Sequence, residues 1–178
     1  MRTKMLARTA LFAALTAVGA FIKIPLGVSS ITLQFFFTAM AGCLLGPVWG
    51  TVSQGVYVLL GLVGLPIFTM GGGFGYIFQP TFGFLLGLIP CAWVIGLITK
   101  GGKSWWRVAL ASLAGLAVLY AVGLPYMALI LNGYMGAGWS LQRILRDGML
   151  LFLPGDALKI VVGALLFPQL SRGLDNMH

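Results

Sequence analysis

The sequence predicts an all-α integral membrane protein with six transmembrane helices. Three observations carry that prediction. Of 178 residues, 60% are hydrophobic and only 8% charged, with a mean hydropathy of +1.02, whereas a soluble domain carries about 25% charged residues. The apolar residues fall into six stretches, each near the ~20 residues that cross a bilayer. The 26 glycines and 8 prolines suit membrane helices, where small residues allow close packing and breaks are tolerated. The chain reads as a single domain, residues 1–178.

Each element has its own signal. Span 1 covers residues 6–22 and stops before Lys23-Ile24-Pro25. Its basic start and small-residue end imitate a secretory signal, but five more apolar stretches follow, so it reads as a retained span. Span 2 covers 31–45 and is bounded by Gly46-Pro47 and Gly50. Span 3 runs over 51–65 and ends at Pro66. A Gly-rich aromatic loop, FTMGGGFGYIFQ, follows at 68–79. Span 4 covers 80–99, and the polar hairpin KGGKSWWR covers 100–107. Span 5 takes 108–131. The linker 132–147 contains WSLQRILRD, which reads as a short interfacial helix. Span 6 covers 149–170, with a break or restart at Pro154-Gly155.

Charge sets the orientation. With both termini in the cytoplasm, the inner segments hold seven Lys and Arg: Arg2, Lys4, Arg8, Lys100, Lys103, Arg107 and Arg172. The outer segments hold three, Lys23, Arg143 and Arg146. The excess of basic residues inside favours that orientation. It puts the Gly-rich loop, the linker and the start of the last span on the outer face. The net charge of +8 lies at span ends, where it serves topology and lipid headgroups, not nucleic acid.

The chemistry available is binding, not catalysis. Three Asp, no Glu, one terminal histidine (His178) and two cysteines in apolar stretches (Cys43 and Cys91) make neither a triad, a carboxylate dyad nor a metal site. No phosphate-binding GxxxxGK[ST] loop is present. No enzyme, cofactor or metal is expected.

Asp156 and Lys159 in LPGDALKIVVGALLF are the exception to this charge-free interior. Spacing i,i+3 puts both on one helix face, with Cβ atoms about 5–6 Å apart. Ionisable groups at membrane depth are costly and face a cavity or a partner. The pair is therefore either an acceptor-plus-donor device for a small polar ligand or an ion pair that holds helices together. Other polar groups of the outer half are Gln34, Tyr57, Tyr76 and Gln79. The two amides serve either a ligand or a neighbouring backbone group. Phe68, Phe74, Tyr76 and Phe78 suit either a mobile lid with an apolar underside or an interfacial belt. In span 1, Ala10/Ala14 and Ala13/Ala17 are small-xxx-small pairs. They permit docking of a partner subunit or close packing within the chain.

These stretches resemble the BioY family, the biotin-specific substrate-binding (S) component of energy-coupling-factor (ECF) transporters. The resemblance rests on ALTAVGAFIKIPLG (14–27), ITLQFFFTAMAGCLLGPVWG (31–50), YVLLGLVGLPIF (57–68), GGGFGYIFQPTFGFLLG (71–87) and LPGDALK (153–159). The last is the most specific. The resemblance implies an ECF S-component-like bundle in the cytoplasmic (inner) membrane, with biotin as ligand and an ECF transmembrane coupling subunit and ABC-type ATPase subunits as partners. The loop between spans 1 and 2 and the Gly-rich loop would close over the pocket. The resemblance carries the family's ligand pair onto Asp156 and Lys159 and sets Gln79 where a polar amide of the family's loop is expected; Tyr76 and Gln34, from the outer polar groups, complete the candidate binding residues. Asp156 would accept from ureido N–H, and Lys159 would meet either the ureido oxygen or the carboxylate. Ala10, Ala13, Ala14 and Ala17 would dock the coupling subunit. The alternatives are an S component for another vitamin and a membrane assembly protein without transport.

Overall fold

The computed structural model describes residues 2–26, 29–102 and 104–175, with the backbone alone for Arg2 and 172–175. Gly27, Lys103 and His178, used above, lie outside the described residues. The elements are α1 (Arg2–Phe21), β1 (Lys23–Leu26), β2 (Ser29–Thr32), α2 (Gln34–Val63), a 3₁₀ turn (Phe74–Phe78), α3 (Phe82–Thr99), α4 (Trp105–Ala128), α5 (Leu141–Leu145) and α6 (Leu153–Asp175). π-helical turns cover Leu129–Tyr134 and Arg146–Leu150. Among the described residues, five helical segments are long and apolar enough to cross a membrane: Thr3–Phe21, Gln34–Val63, Phe82–Thr99, Trp105–Tyr134 and Leu141–Ser171.

The count differs from the six expected because spans 2 and 3 are fused in α2. That helix is not straight. At about 1.5 Å per residue, Gln34 and Tyr57 would lie about 34 Å apart in one rod. Instead, Gln34 Nε2 donates to the Tyr57 hydroxyl at 2.8 Å, and Thr38 Oγ1 donates to Gln54 Oε1 at 2.9 Å. The chain reverses at Gly46 (φ 80°, ψ −178°), in a region essentially reserved for glycine. Pro47, with its fixed φ, then starts the second arm. The arms, 34–45 and 47–63, touch closely: a Cβ at Gly50 would lie 2.9 Å from Gly42 Cα. Gly96 of α3 seats against the reversal, where a Cβ would come within 2.4 Å of the Pro47 nitrogen.

A buried polar knot ties the arms to α1. Gln54 is fully buried, and its amide nitrogen donates to Ser53 Oγ at 2.9 Å and Thr16 Oγ1 at 3.3 Å. Buried polar groups in lipid are stable only when partnered in this way. Around it, α2 packs on α1 and α3, α3 packs on α4, and α6 closes against α4 and α2.

The connections segregate to two ends. One end gathers the β1–β2 hairpin, the 64–81 loop and the 129–152 segment. There the Lys23 ammonium donates to the Thr69 carbonyl, and Phe78 stacks on Tyr134 with centroids 4.9 Å apart. The other end gathers Gly46, Gly96 and the 100–102 turn. The β1–β2 ribbon pairs antiparallel, with Lys23 opposite Thr32 and Leu26 opposite Ser29. Sequence reading placed no strand there.

The Gly-rich loop is packed. A Cβ at Gly72 would lie 2.0 Å from the Leu65 carbonyl oxygen. Its aromatics divide by face: Phe68 and Tyr76 are buried in a ring chain with Tyr57 and Phe82, while Phe74 and Phe78 are exposed.

Candidate ligand-binding site

A cavity of about 90 Å³ opens beneath the β1–β2 ribbon and the Gly-rich loop, between α2, α3, α4 and α6. One water needs roughly 10–15 Å³ by the same measure, so it has room for a small-molecule moiety. Its floor and one wall are apolar, with Phe35, Phe84, Leu85, Leu88, Leu119 and Phe152. Its polar groups are few and convergent, the pattern of a small-molecule pocket.

Asp156 and Lys159 supply the charge. Pro154 is tolerated in the first turn of α6 because that turn lacks N–H acceptors in any case, and Asp156 in the same turn complements the helix dipole. Lys159 follows one turn on, and its ammonium donates to Asp156 Oδ1 at 2.7 Å. Both side chains are buried, at 5% and 9% exposure. The second carboxylate oxygen accepts from the Tyr120 hydroxyl of α4 at 2.5 Å. Tyr120 is fixed edge-on by Phe84, with centroids 6.2 Å apart. An ionised carboxylate offers about four lone-pair sites and an ammonium three donors, so the pair keeps spare acceptors and donors. As stability alone, a buried pair of this kind contributes little for the desolvation it requires.

The structure brings four of the five expected ligand residues together. Asp156, Lys159, Gln34 and Tyr76 all line the cavity. Gln34 is fixed on both sides: its carbonyl oxygen accepts from Thr32 Oγ1 at 2.9 Å while its nitrogen donates to Tyr57. Tyr57 in turn donates to the Ile67 carbonyl at 3.1 Å, so the amide is braced by both covering loops. The Tyr76 hydroxyl pairs with Thr69 Oγ1 at 2.9 Å. The fifth, Gln79, lies elsewhere. It does not line the cavity; its backbone caps the 3₁₀ turn through the Tyr76 carbonyl, and its own carbonyl accepts from Phe82 N–H. Two residues on, Thr81 lines the cavity instead.

The alanines of α1 divide between two faces. Ala10 and Ala14 are exposed. Ala13 is 5% exposed and belongs to the core, and Ala17 packs half-buried against that core. Of the two uses open to these alanines, Ala13 serves packing within the chain. Cys43 and Cys91 are free thiols inside the helices, as expected of small core hydrophobes. Among the described residues, no three His, Cys, Asp or Glu side chains gather as a metal site.

Tyr120, Thr69 and Thr81 escaped sequence reading. Tyr120 carried a usable signal: a phenol in the middle of an apolar span must find a partner for its hydroxyl, and Asp156 is the acceptor within that depth.

A family model described as BioY family matches residues 1–176. The chain belongs to the BioY family. Within it, a protein named probable biotin transporter BioY from Lysinibacillus sphaericus is 44% identical over 172 residues, covering 96% of this chain and 88% of that protein. The biotin transporter BioY of Thermotoga maritima is 37% identical, covering 95% of this chain and 96% of that protein. A crystal structure of the S-component for biotin from an ECF-type ABC transporter matches the BioY-family fold described here with a TM-score of 0.83 and 26% identity, covering 96% of this chain and 92% of that one.

Proposed function

We propose that this chain is the membrane-embedded biotin-binding subunit of a vitamin uptake transporter. It is a transporter component and not an enzyme. The observation that carries the reading is the buried Asp156–Lys159 pair, held by Tyr120 on the wall of the cavity. Asp156 accepts from the ureido N–H groups of biotin, and the apolar wall takes the thiophane ring and the methylene tail. Lys159 donates to a biotin oxygen. Gln34 and Tyr76 complete the polar rim.

The antiparallel arms of α2 support six crossings, and the seven-to-three excess of Lys and Arg supports cytoplasmic termini. In that orientation the cavity faces outward in the cytoplasmic membrane and captures biotin from outside. An ECF transmembrane coupling subunit and ABC-type ATPases supply the energy, with the exposed Ala10/Ala14 face of α1 as the coupling contact.

The experiment is a thermal-shift panel on the purified protein in detergent. A ligand that binds only the folded state raises stability by RT ln(1 + [L]/Kd), so a concentration 100 times Kd adds about 2.7 kcal/mol. Biotin raises the midpoint; riboflavin and thiamine leave it unchanged. A folded protein indifferent to biotin well above micromolar, or one stabilised by another vitamin instead, overturns the assignment.

A further inference from the structure

Among the described residues, Thr81 Oγ1 is the buried side-chain polar atom that no protein group bonds. Thr81 stands immediately before α3, where a threonine ordinarily turns its oxygen back to accept a backbone N–H of the first turn. Here that bond is not made. The helix start is served by other groups: Phe82 N–H donates to the Gln79 carbonyl and Phe84 N–H to the Thr81 carbonyl. The hydroxyl is thus released from local duty, and its residue lines the cavity that holds Asp156 and Lys159. A buried hydroxyl without a partner is destabilising.

Of the other cavity hydroxyls, Ser29 and Ser30 aside, two have their proton committed and two share a single bond. Thr32 donates to Gln34, Thr69 pairs with Tyr76, and Tyr120 donates to Asp156. Asp156 can only accept, so it takes the ligand's N–H donors and leaves the ligand's oxygens in need of donors. We infer that Thr81 donates its hydroxyl proton to an oxygen of the bound ligand and is a specificity-determining residue of the cavity. This rests on the biotin reading above.

The test uses Thr81→Val, which keeps the shape and removes the hydroxyl, and Thr81→Ser, which keeps the hydroxyl. Two quantities are read on the full-length protein: thermal stability without ligand and biotin affinity by titration. Valine leaves the ligand-free midpoint unchanged or raised, because an unsatisfied hydroxyl is gone, and weakens biotin about five- to tenfold. Serine binds within about twofold of the parent. Parental affinity in a folded Thr81→Val overturns the inference, and so does a lowered ligand-free midpoint, which marks a hydroxyl already bonded through water. A parent that ignores biotin defeats the functional reading instead, and the ligand-free midpoints still decide whether the hydroxyl is unsatisfied.

Discussion

Asp156 spends one oxygen on Lys159 and one on Tyr120, so its worth to a ligand depends on both neighbours. Removing one member of a buried pair leaves the other uncompensated, at about 3–5 kcal/mol. Asp156→Asn and Lys159→Met each lose biotin binding by at least ten- to a hundredfold, the equivalent of a charge-assisted hydrogen bond of about 1.5–3 kcal/mol. The double variant regains a monodisperse elution profile, since no lone charge remains, yet does not regain affinity. Parental affinity in that well-folded double variant would reduce the pair to a structural tie. Tyr120→Phe removes a bond to the carboxylate without removing a charge, and weakens biotin less than either single charge variant in the same titration. At this scale the charged pair was legible because it breaks an apolar pattern. Thr81 was not, since a threonine after Pro80 looks like any residue at the start of a span and only its unmade cap bond marks it out. Gln79 shows the complementary case: an amide in an apolar setting signals a polar duty, and the bonds seen at that residue are made by its backbone.

The same contrast holds for elements. Composition and spacing located the helices, and Gly46-Pro47 marked a boundary, but pattern alone did not reveal the β1–β2 ribbon. Its four-residue strands are too short for periodicity to register. Gly46→Ala meets open space but holds an alanine at φ 80°, a conformation costing roughly 1–3 kcal/mol. The expected result is a lowered melting midpoint with biotin affinity within about twofold of the parent, because the reversal is at the end remote from the cavity. A large loss of affinity at an unchanged midpoint contradicts this. On α1, Ala10→Leu with Ala14→Leu leaves biotin binding intact and stops uptake by cells carrying the whole transporter, because close approach of a partner backbone needs small side chains. Ala13→Leu, by contrast, lowers stability itself, since the residue is packed within the core. Sequence spacing could not separate these two faces; only the neighbours of α1 could.

For the molecule as a whole, the cavity-covering segments gather at one end and the 100–102 turn, with Lys100, at the other. The topology prediction follows directly. In a variant with Cys43 and Cys91 replaced by alanine, a cysteine at Met70 reacts with a membrane-impermeant thiol reagent added to intact cells. A cysteine at Lys100 reacts only after the cells are opened. The reverse pattern would turn the transporter inside out. Fold class was readable from composition, because lipid imposes it on every segment at once, while the orientation rests on the Lys and Arg count and is what the labelling experiment tests. The fusion of spans 2 and 3 was not, as it depends on a single glycine's φ and ψ.

That reversal has a consequence for how the protein is made. The first arm of α2, residues 34–45, is about 18 Å of helix, well short of the ~30 Å of a hydrocarbon core. It carries Gln34 and Thr38, whose partners Tyr57 and Gln54 are on the second arm. A ribosome that has released only the first arm offers the insertion machinery a segment too short to cross the bilayer, with two polar side chains still without their partners. The arms must therefore partition together, as one unit synthesised some thirty residues at a time. A reporter fused at Gly46 gives mixed orientations, and one fused at Gly64 gives a single orientation. The turn that closes the packing also sets the moment in translation at which this region commits to the membrane.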